Sequence, residues 1–179
     1  MRVPAMRPKE YLQNGLISVC NYVNSKTKVE KALEVGSYLG ESTIIFANNF
    51  PIIEEIIAVD PFSLSYNSDN LFDENAVLEI YEKFLSNISL YPKIKHLKMT
   101  SEEASLISPN EYYDFIYVDG CHQYSSVVND IQYWLPKVKK GGFISFHDID
   151  NVHVNSAISK FFNIDTGYIT EDTSITFGV

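Results

Sequence analysis

The hydrophobic positions switch between helical and strand spacing along the chain. Leu12, Leu16, Ile17, Val19, Cys20 and Val23 recur at helical intervals and predict an amphipathic helix over Glu10 to Asn24. Pro4 and Pro8 make the segment before it irregular. Short apolar runs then predict strands at Lys31–Val35, Glu55–Val59, Ile94–Leu97 and Tyr112–Val118. A fifth runs from Gly142 into His147-Asp148. Between them the helical spacing returns over Glu41–Phe50, Ala76–Asn87, Ser125–Leu135 and Val152–Phe162, and Thr100-Ser101 followed by acids reads as a helix N-cap. Lys137–Gly142 reads as a turn, and Pro61–Asn75, polar with Phe62, Tyr66 and Phe72, as a long loop at the active edge. Gly167–Thr170 and Ser174–Val179 close the chain as a hairpin turning on Glu171-Asp172-Thr173. Trp134 is expected in the core and His153 in solvent. Strand–helix alternation of this kind implies a three-layer α/β sheet with right-handed crossovers and a ligand crevice at the strand C-termini.

The most informative stretch is Lys31 to Ser42, an apolar strand that ends in Glu34-Val35-Gly36, turns through Gly40 and enters a helix. Gly36 permits backbone angles or a close approach that a Cβ would forbid. The helix start offers free N–H groups to an anion, and Ser37 and Ser42 offer hydroxyls. The glycine spacing is not the Gly-x-Gly-x-x-Gly of a dinucleotide-binding turn, and no lysine follows Gly40 as in a P-loop. Glu34-x-Gly36-x-x-x-Gly40-x-Ser42 resembles motif I of the class I S-adenosylmethionine (SAM)-dependent methyltransferases, in which this loop, with Tyr38 inside it here, holds the methionyl end of the cofactor. Asp60 stands at the tip of the second strand, where a carboxylate can accept hydrogen bonds from a ribose diol.

Length and charge narrow the partners. A chain of 179 residues can bury a full core. A net charge of −9 lacks the basic footprint of nucleic-acid binding and disfavours an anionic membrane surface. No apolar run reaches membrane-spanning length, and the N-terminus lacks the apolar core of a secretory signal. Cys20 and Cys121 are the only cysteines and sit at no metal or redox spacing, so a reducing, cytoplasmic setting is expected.

A second stretch, Tyr112 to His122, is a buried strand running into Asp119-Gly120-Cys121-His122. Asp119 and His122 are thereby aimed at the crevice; Asp119 suits a metal and His122 a general base. His147 and Asp148, at the tip of the next strand, can converge on Asp119. Phe115 to Tyr124, followed by Asp130, and then Gly141 to Asp148 look like the small methyltransferases known as methyltransferase domain 24, which run with macrocin-type and, more distantly, catechol-type O-methyltransferases. The resemblance covers Leu33 to Val179. It implies a doubly wound Rossmann-like methyltransferase fold over residues 31–179, behind a helical lead-in at residues 1–30. The sheet would have seven strands in the order 3-2-1-4-5-7-6, with the last antiparallel.

The same resemblance implies SAM as cofactor, held by Glu34, Gly36, Ser37, Tyr38, Gly40, Ser42, Asp60 and Asp119, with Ser101 and Glu102 near the adenine. Metal-dependent relatives hold Mg²⁺ at the positions of Asp119, His147 and Asp148, and the base lies at His122. Here His147 offers nitrogen where Mg²⁺ prefers oxygen, so a softer divalent metal, a supporting role for His147, or no metal all stay open. The expected activity is O-methylation of a small molecule or sugar precursor, with a homodimer left open. Two other readings are carried beside it: a nicotinamide-dependent oxidoreductase and a non-catalytic SAM-binding module.

Overall fold

The computed structural model describes residues 10–64 and 73–179. The strands are β1 (Lys31–Val35), β2 (Glu55–Val59), β3 (Ile94–Leu97), β4 (Tyr113–Val118), β5 (Val138–Phe146), β6 (Tyr168–Ile169) and β7 (Ile175–Gly178). They form one sheet in the order β3-β2-β1-β4-β5-β7-β6. The first five run parallel, and β7 is antiparallel to both β5 and β6. The helices are α1 (Glu10–Asn24), α2 (Glu41–Asn49), α3 (Glu74–Ile88), α4 (Ser101–Ile107), α5 (Tyr124–Trp134) and α6 (Val152–Ile158). This is the doubly wound, Rossmann-like sheet with a C-terminal antiparallel hairpin that the sequence implies.

Strand parity divides the core. Ala32, Ile56, Phe115, Tyr117 and Phe143 face α1 and α2, where they meet Leu16, Val19, Phe46 and Phe50. Leu33, Val35, Ile116, Val118, Ile144 and Phe146 face the other way, toward Val127, Ile131 and Trp134 of α5 and Val154 and Ala157 of α6. Helix α3 packs on the first face near the β3 edge, through Ile80, Phe84 and Ile88 against Ala58 and Ile94. All six β4 side chains are buried, as a central strand covered on both faces requires.

Three boundaries differ from the sequence expectation. The predicted turn at Lys137–Gly142 is mostly strand: β5 starts at Val138, which pairs with Tyr113, and the register then shifts before Phe115 meets Phe143. Gly141, with φ of 78°, absorbs this irregularity, and its amide donates to the Val179 carbonyl. Helix α6 ends at Ile158 rather than Phe162, and the next residues continue as turns bonded back to the Ala157 and Ile158 carbonyls. Asp73 caps α3 by accepting from the Ala76 amide, so that helix begins before Asn75. The Pro4 and Pro8 lead-in, and Tyr66 and Phe72 of the predicted loop, lie outside the described residues.

Phe46 sits at the centre of the first core face, 1% exposed, with ring contacts to Phe50, Phe115 and Tyr117. Replacing Phe46 by Ala removes those contacts and leaves a cavity, so urea unfolding should show a loss of about 3–5 kcal/mol.

Candidate active site

The C-terminal ends of β1 to β5 open on a cavity of about 570 Å³, within the range of a small-molecule site. The turn after β1 supplies Gly36, Ser37 and Tyr38; the tip of β2 supplies Asp60 and Phe62. The turn after β3 adds Ser101 and Glu102, the tip of β4 adds Asp119 and His122, and β5 adds His147. Leu16 of α1 and Tyr117 of β4 also reach it. The amphipathic first helix therefore packs on the sheet and borders the cavity as well.

Gly36 is where two of these turns meet. Its φ is 85°, and a Cβ there would lie 2.0 Å from the Asp119 carbonyl oxygen. The Asp119 amide in turn donates to the Val35 carbonyl at 2.8 Å. No other residue type fits between the loop after β1 and the loop after β4. Gly40, also at positive φ, faces away from the cavity: a Cβ on it would press on Phe84 and Ile88 of α3 at 3.2 Å. Its place in the motif thus serves the turn and the packing of α3, not ligand contact. Helix α2 begins at this point with no side-chain cap on its first turn, which suits a carboxylate ligand.

Glu34 is likewise absent from the cavity wall. It shares strand parity with Ala32, so it points beneath the loop toward α2, fully buried, and accepts the Ser42 and Thr43 hydroxyls. Burial pushes its pKa up to about 7, against the pull of those two hydroxyls. Expected as a cofactor ligand, it ties the loop and helix together from below. Ser42 lines the cavity but spends its hydroxyl proton on Glu34.

Asp60 accepts from the Ser37 and Tyr38 amides at 3.1 and 3.0 Å through one oxygen, and from the Phe62 amide at 2.8 Å through the other. Burial raises its pKa while these three amides oppose the rise. The carboxylate at the β2 tip therefore braces the turn after β1, and Tyr38 and Phe62 take positive φ, each at 44°, around it. Across the cavity, Ser101 donates to Asp130 Oδ1 and accepts from Trp134 Nε1 at 2.8 Å. Asp130, quoted in the sequence only as part of a motif, is 6% exposed and lines the cavity. Its helical spacing three residues before Tyr133 and four before Trp134 was the available signal, but nothing in that spacing says that it faces a ligand.

The ionisable cluster is at the β4 and β5 tips. His122 Nε2 lies 2.8 Å from Asp148 Oδ2 and 3.7 Å from Asp119 Oδ1. His147 Nδ1 lies 3.2 Å from Asp148 Oδ2 and 3.5 Å from Asp119 Oδ1. Asp148 takes φ of 57° to turn its carboxylate toward both rings. The contact of His122 with Asp148 is close but out of line for a hydrogen bond, so its attraction is mainly that of opposite charges. Contacts with Asp119 and then Asp148 raise His122 to about 10 despite burial. Burial works against the charge of His147 as well, yet the same two acids lift it to about 11. Burial opposes the charge of Asp119, but contacts with His122 and His147 prevail and its pKa is lowered. Contacts with His122 and then His147 hold Asp148 well below the ordinary carboxylate range.

Two consequences follow for the expected roles. His122, expected as a base, is held as an imidazolium at neutral pH, and an imidazolium has no lone pair with which to take a proton. The expected metal set Asp119, His147 and Asp148 is also not the tightest trio: Asp119, His122 and Asp148 offer ligand atoms all within 4.8 Å of one another. That donor set of two carboxylates and one imidazole fits a first-row transition metal better than Mg²⁺.

A seven-stranded, mostly parallel sheet with an antiparallel C-terminal pair, and a cavity along its strand tips, define a Rossmann-like domain of the SAM-dependent methyltransferase class. The chain belongs to the methyltransferase-domain family, whose model matches residues 33–149. Protein R132 of Acanthamoeba polyphaga mimivirus, itself uncharacterised, is 27% identical over 121 residues, which are 65% of this chain and 50% of that protein. This chain thus spans about half the length of that curated relative. The O-methyltransferase NovP aligns with 93% of this chain and 78% of its own at a TM-score of 0.68 and 14% identity. Spermidine synthase from Thermotoga maritima aligns with 94% of this chain and 58% of its own at a TM-score of 0.64 and 13% identity. At such identities the two structures speak to the fold, and their different reactions show that the fold leaves the chemistry open. No helix among the described residues is long and apolar enough to cross a membrane.

Glu34 gives a pH test. Its carboxyl rises from an ordinary 4.5 to about 7 on folding, so the folded state holds the proton more tightly. That stability is fully present below pH 4.5 and is lost as pH rises through 7. The loss amounts to a few kcal/mol at most. Glu34→Gln, which keeps the shape without the titration, should flatten the fall in thermal midpoint between about pH 5 and 8 relative to the wild type.

Proposed function

We propose that this domain is a SAM-dependent O-methyltransferase that methylates a hydroxyl of a small molecule, such as a sugar or glycan precursor. The observation that carries this reading is a cavity lined by Asp119, His122 and His147, with Asp148 in contact with both rings, beside the Gly36 turn and an uncapped helix start. The family, the cavity and the O-methyltransferase NovP as a structural neighbour support it.

In this reading the turn from Gly36 to Tyr38 and the start of α2 receive the amino-acid end of the cofactor, and Asp60 faces its ribose. The sulfonium is already activated, so the protein must hold the acceptor oxygen in line with the methyl carbon and sulfur and remove one proton. The oxygen–carbon bond forms as the carbon–sulfur bond breaks, and the sulfur leaves as a neutral thioether. The hydroxyl proton passes into the cluster. His122 becomes a base when an acceptor draws Asp119 or Asp148 away from it, because those contacts are what raise its pKa. Were a divalent cation bound, Asp119, Asp148 and a neutral His122 would hold it in place of His122 acting as the base, and it would polarise the acceptor oxygen.

Calorimetric titration should show saturable binding of SAM and none of NAD. With an accepted hydroxyl compound, His122→Ala should lower methyl transfer about 10²-fold or more while SAM affinity stays within about threefold. Turnover unaffected by the substitution would remove His122 from the reaction, and binding of NAD in place of SAM would overturn the cofactor reading.

A further inference from the structure

The turn of the C-terminal hairpin, residues 170–174, carries a buried carboxylate that the proposed reaction leaves without a task. Glu171 in that turn is exposed, whereas Asp172 beside it is 2% exposed. Oδ1 of Asp172 takes the Thr170 hydroxyl and the Ser174 amide, the latter at 3.3 Å, and Oδ2 takes the Ser174 hydroxyl at 3.1 Å. Donors from both sides of the turn thus converge on one side chain. Helix α1 closes on the same carboxylate: a Cβ at Gly15 would lie 2.2 Å from Asp172 Cγ. A glycine weakens a helix interior, and here it makes room for Asp172. Two arms lead from the turn to the ionisable cluster. Ser174 gives its one side-chain proton to Asp172, so at 2.9 Å it accepts that of the Tyr117 hydroxyl. Tyr117 is fully buried, lines the cavity and has its ring centre 6.4 Å from that of His147. The other arm is backbone: the Thr173 carbonyl accepts from the Ile149 amide at 3.0 Å, one residue past Asp148. Thr173 and Asp148 both take left-handed backbone, with φ of 65° and 57°. Residues other than glycine keep such angles only where their surroundings hold them, and this bond joins the two.

We propose that Asp172 is a positioning residue for the ionisable cluster: by pinning the hairpin turn, it sets where the His147 ring and the Asp148 carboxylate stand. The consequence for methyl transfer rests on the function proposed above; the geometry itself does not. The turn meets both flanks of His147, through Tyr117 on the neighbouring strand and through Ile149 two residues further along the chain. Releasing Asp172 loosens both arms together, because the Ser174 hydroxyl and the Thr173 carbonyl belong to adjacent residues of the pinned turn. His122 responds through Asp148, whose Oδ2 lies 2.8 Å from His122 Nε2 and 3.2 Å from His147 Nδ1. Asp172 is not part of the cavity wall, so it acts only through these neighbours.

The test is nitrogen NMR of the imidazole rings in the intact chain, without ligand and at one neutral pH. The histidines are His96, His122, His147 and His153, two in the cluster and two outside it. Asp172→Asn keeps the shape of the side chain but turns one acceptor oxygen into a donor, so it cannot hold the same partners. It should shift the His147 and His122 signals while those of His96 and His153 stay in place. Ser174→Ala cuts the Tyr117 arm and leaves the Thr170 bond to Asp172, so it should shift His147 more than His122. Phe177→Leu controls for general loosening: it weakens the same hairpin through the Phe162 stack at 4.5 Å and leaves the bonds of the turn intact. It should lower the thermal midpoint and move neither cluster signal. A folded Asp172→Asn protein with unmoved His147 and His122 signals would overturn the proposal. If that variant does not fold, Ser174→Ala decides in its place, and an unmoved His147 signal overturns it. Phe177→Leu shifting the cluster signals as far as Asp172→Asn does would overturn it too, since the turn would then have no special hold on the cluster. Failure of SAM to bind the wild type would remove the function proposed above and leave each of these readouts valid.

Discussion

The backbone contact between Gly36 and Asp119 is the constraint on which the site depends. A parallel sheet places the ends of β1 and β4 side by side, but their following turns normally need room for side chains. Here the turns touch: a Cβ at Gly36 would overlap the Asp119 carbonyl, and the Asp119 amide is already spent on Val35. One glycine thereby fixes the distance between the turn that faces the cavity's backbone-lined end and the residue that begins its ionisable end. Glu34 and Asp60 reinforce the same junction, Glu34 from below through the Ser42 and Thr43 hydroxyls, Asp60 from the side through the Ser37 and Tyr38 amides. Two acidic residues of the motifs thus spend their carboxyls on placing a loop. Burying carboxyls in this way is tolerable only because donors surround them.

The fold was legible because its signals were local and redundant. Each of β1 to β4 is a short apolar run ending in a turn residue, and the helices between them repeat every three to four positions. The sheet order, by contrast, entered through resemblance to a family and not through periodicity. Where local signals conflicted, the reading missed. Lys139, Lys140, Gly141 and Gly142 look like a turn, yet Val138 is buried against Tyr113 and pulls the segment into β5, with Gly141 absorbing the bulge. Tertiary pairing overrode turn chemistry there.

The site was legible in membership more than in role. Strand tips are obvious in sequence, so Asp60, Asp119, His122 and His147 could be assigned to one edge. What a side chain touches there was not. Glu34 has the parity of Ala32 and so faces α2, a fact present in the sequence but uninformative until the sheet has two covered faces. Asp130 lies on a helix more than ten positions from the strand tip, and only the packing of α4 against α5 brings it to Ser101. The protonation of His122 was further out of reach, because it depends on the distance to Asp148, a residue from a different strand.

The charges at the β4 and β5 tips balance: two imidazoliums against two carboxylates, each imidazole within 3.7 Å of both acids. A balanced cluster can be half-buried where an isolated charge could not, but balance also limits its chemistry. With both rings protonated, nothing in it takes a proton readily, since the carboxylates are held below their ordinary range by the same rings. Proton uptake therefore requires that the cluster first be unbalanced by something that competes for a carboxylate. Under the proposed function that competitor is the acceptor hydroxyl, and the coupling has a useful consequence. The group that removes the proton comes into its basic form when the hydroxyl is in place and not before. Asp148, held at positive φ by its own turn, is the natural point of release. Its contact with His122 is the shorter of the ring's two, yet it is poorly aligned as a hydrogen bond. It is close enough to set the charge of the ring in the free protein, and less costly to break than an aligned charge-assisted hydrogen bond of the same length would be.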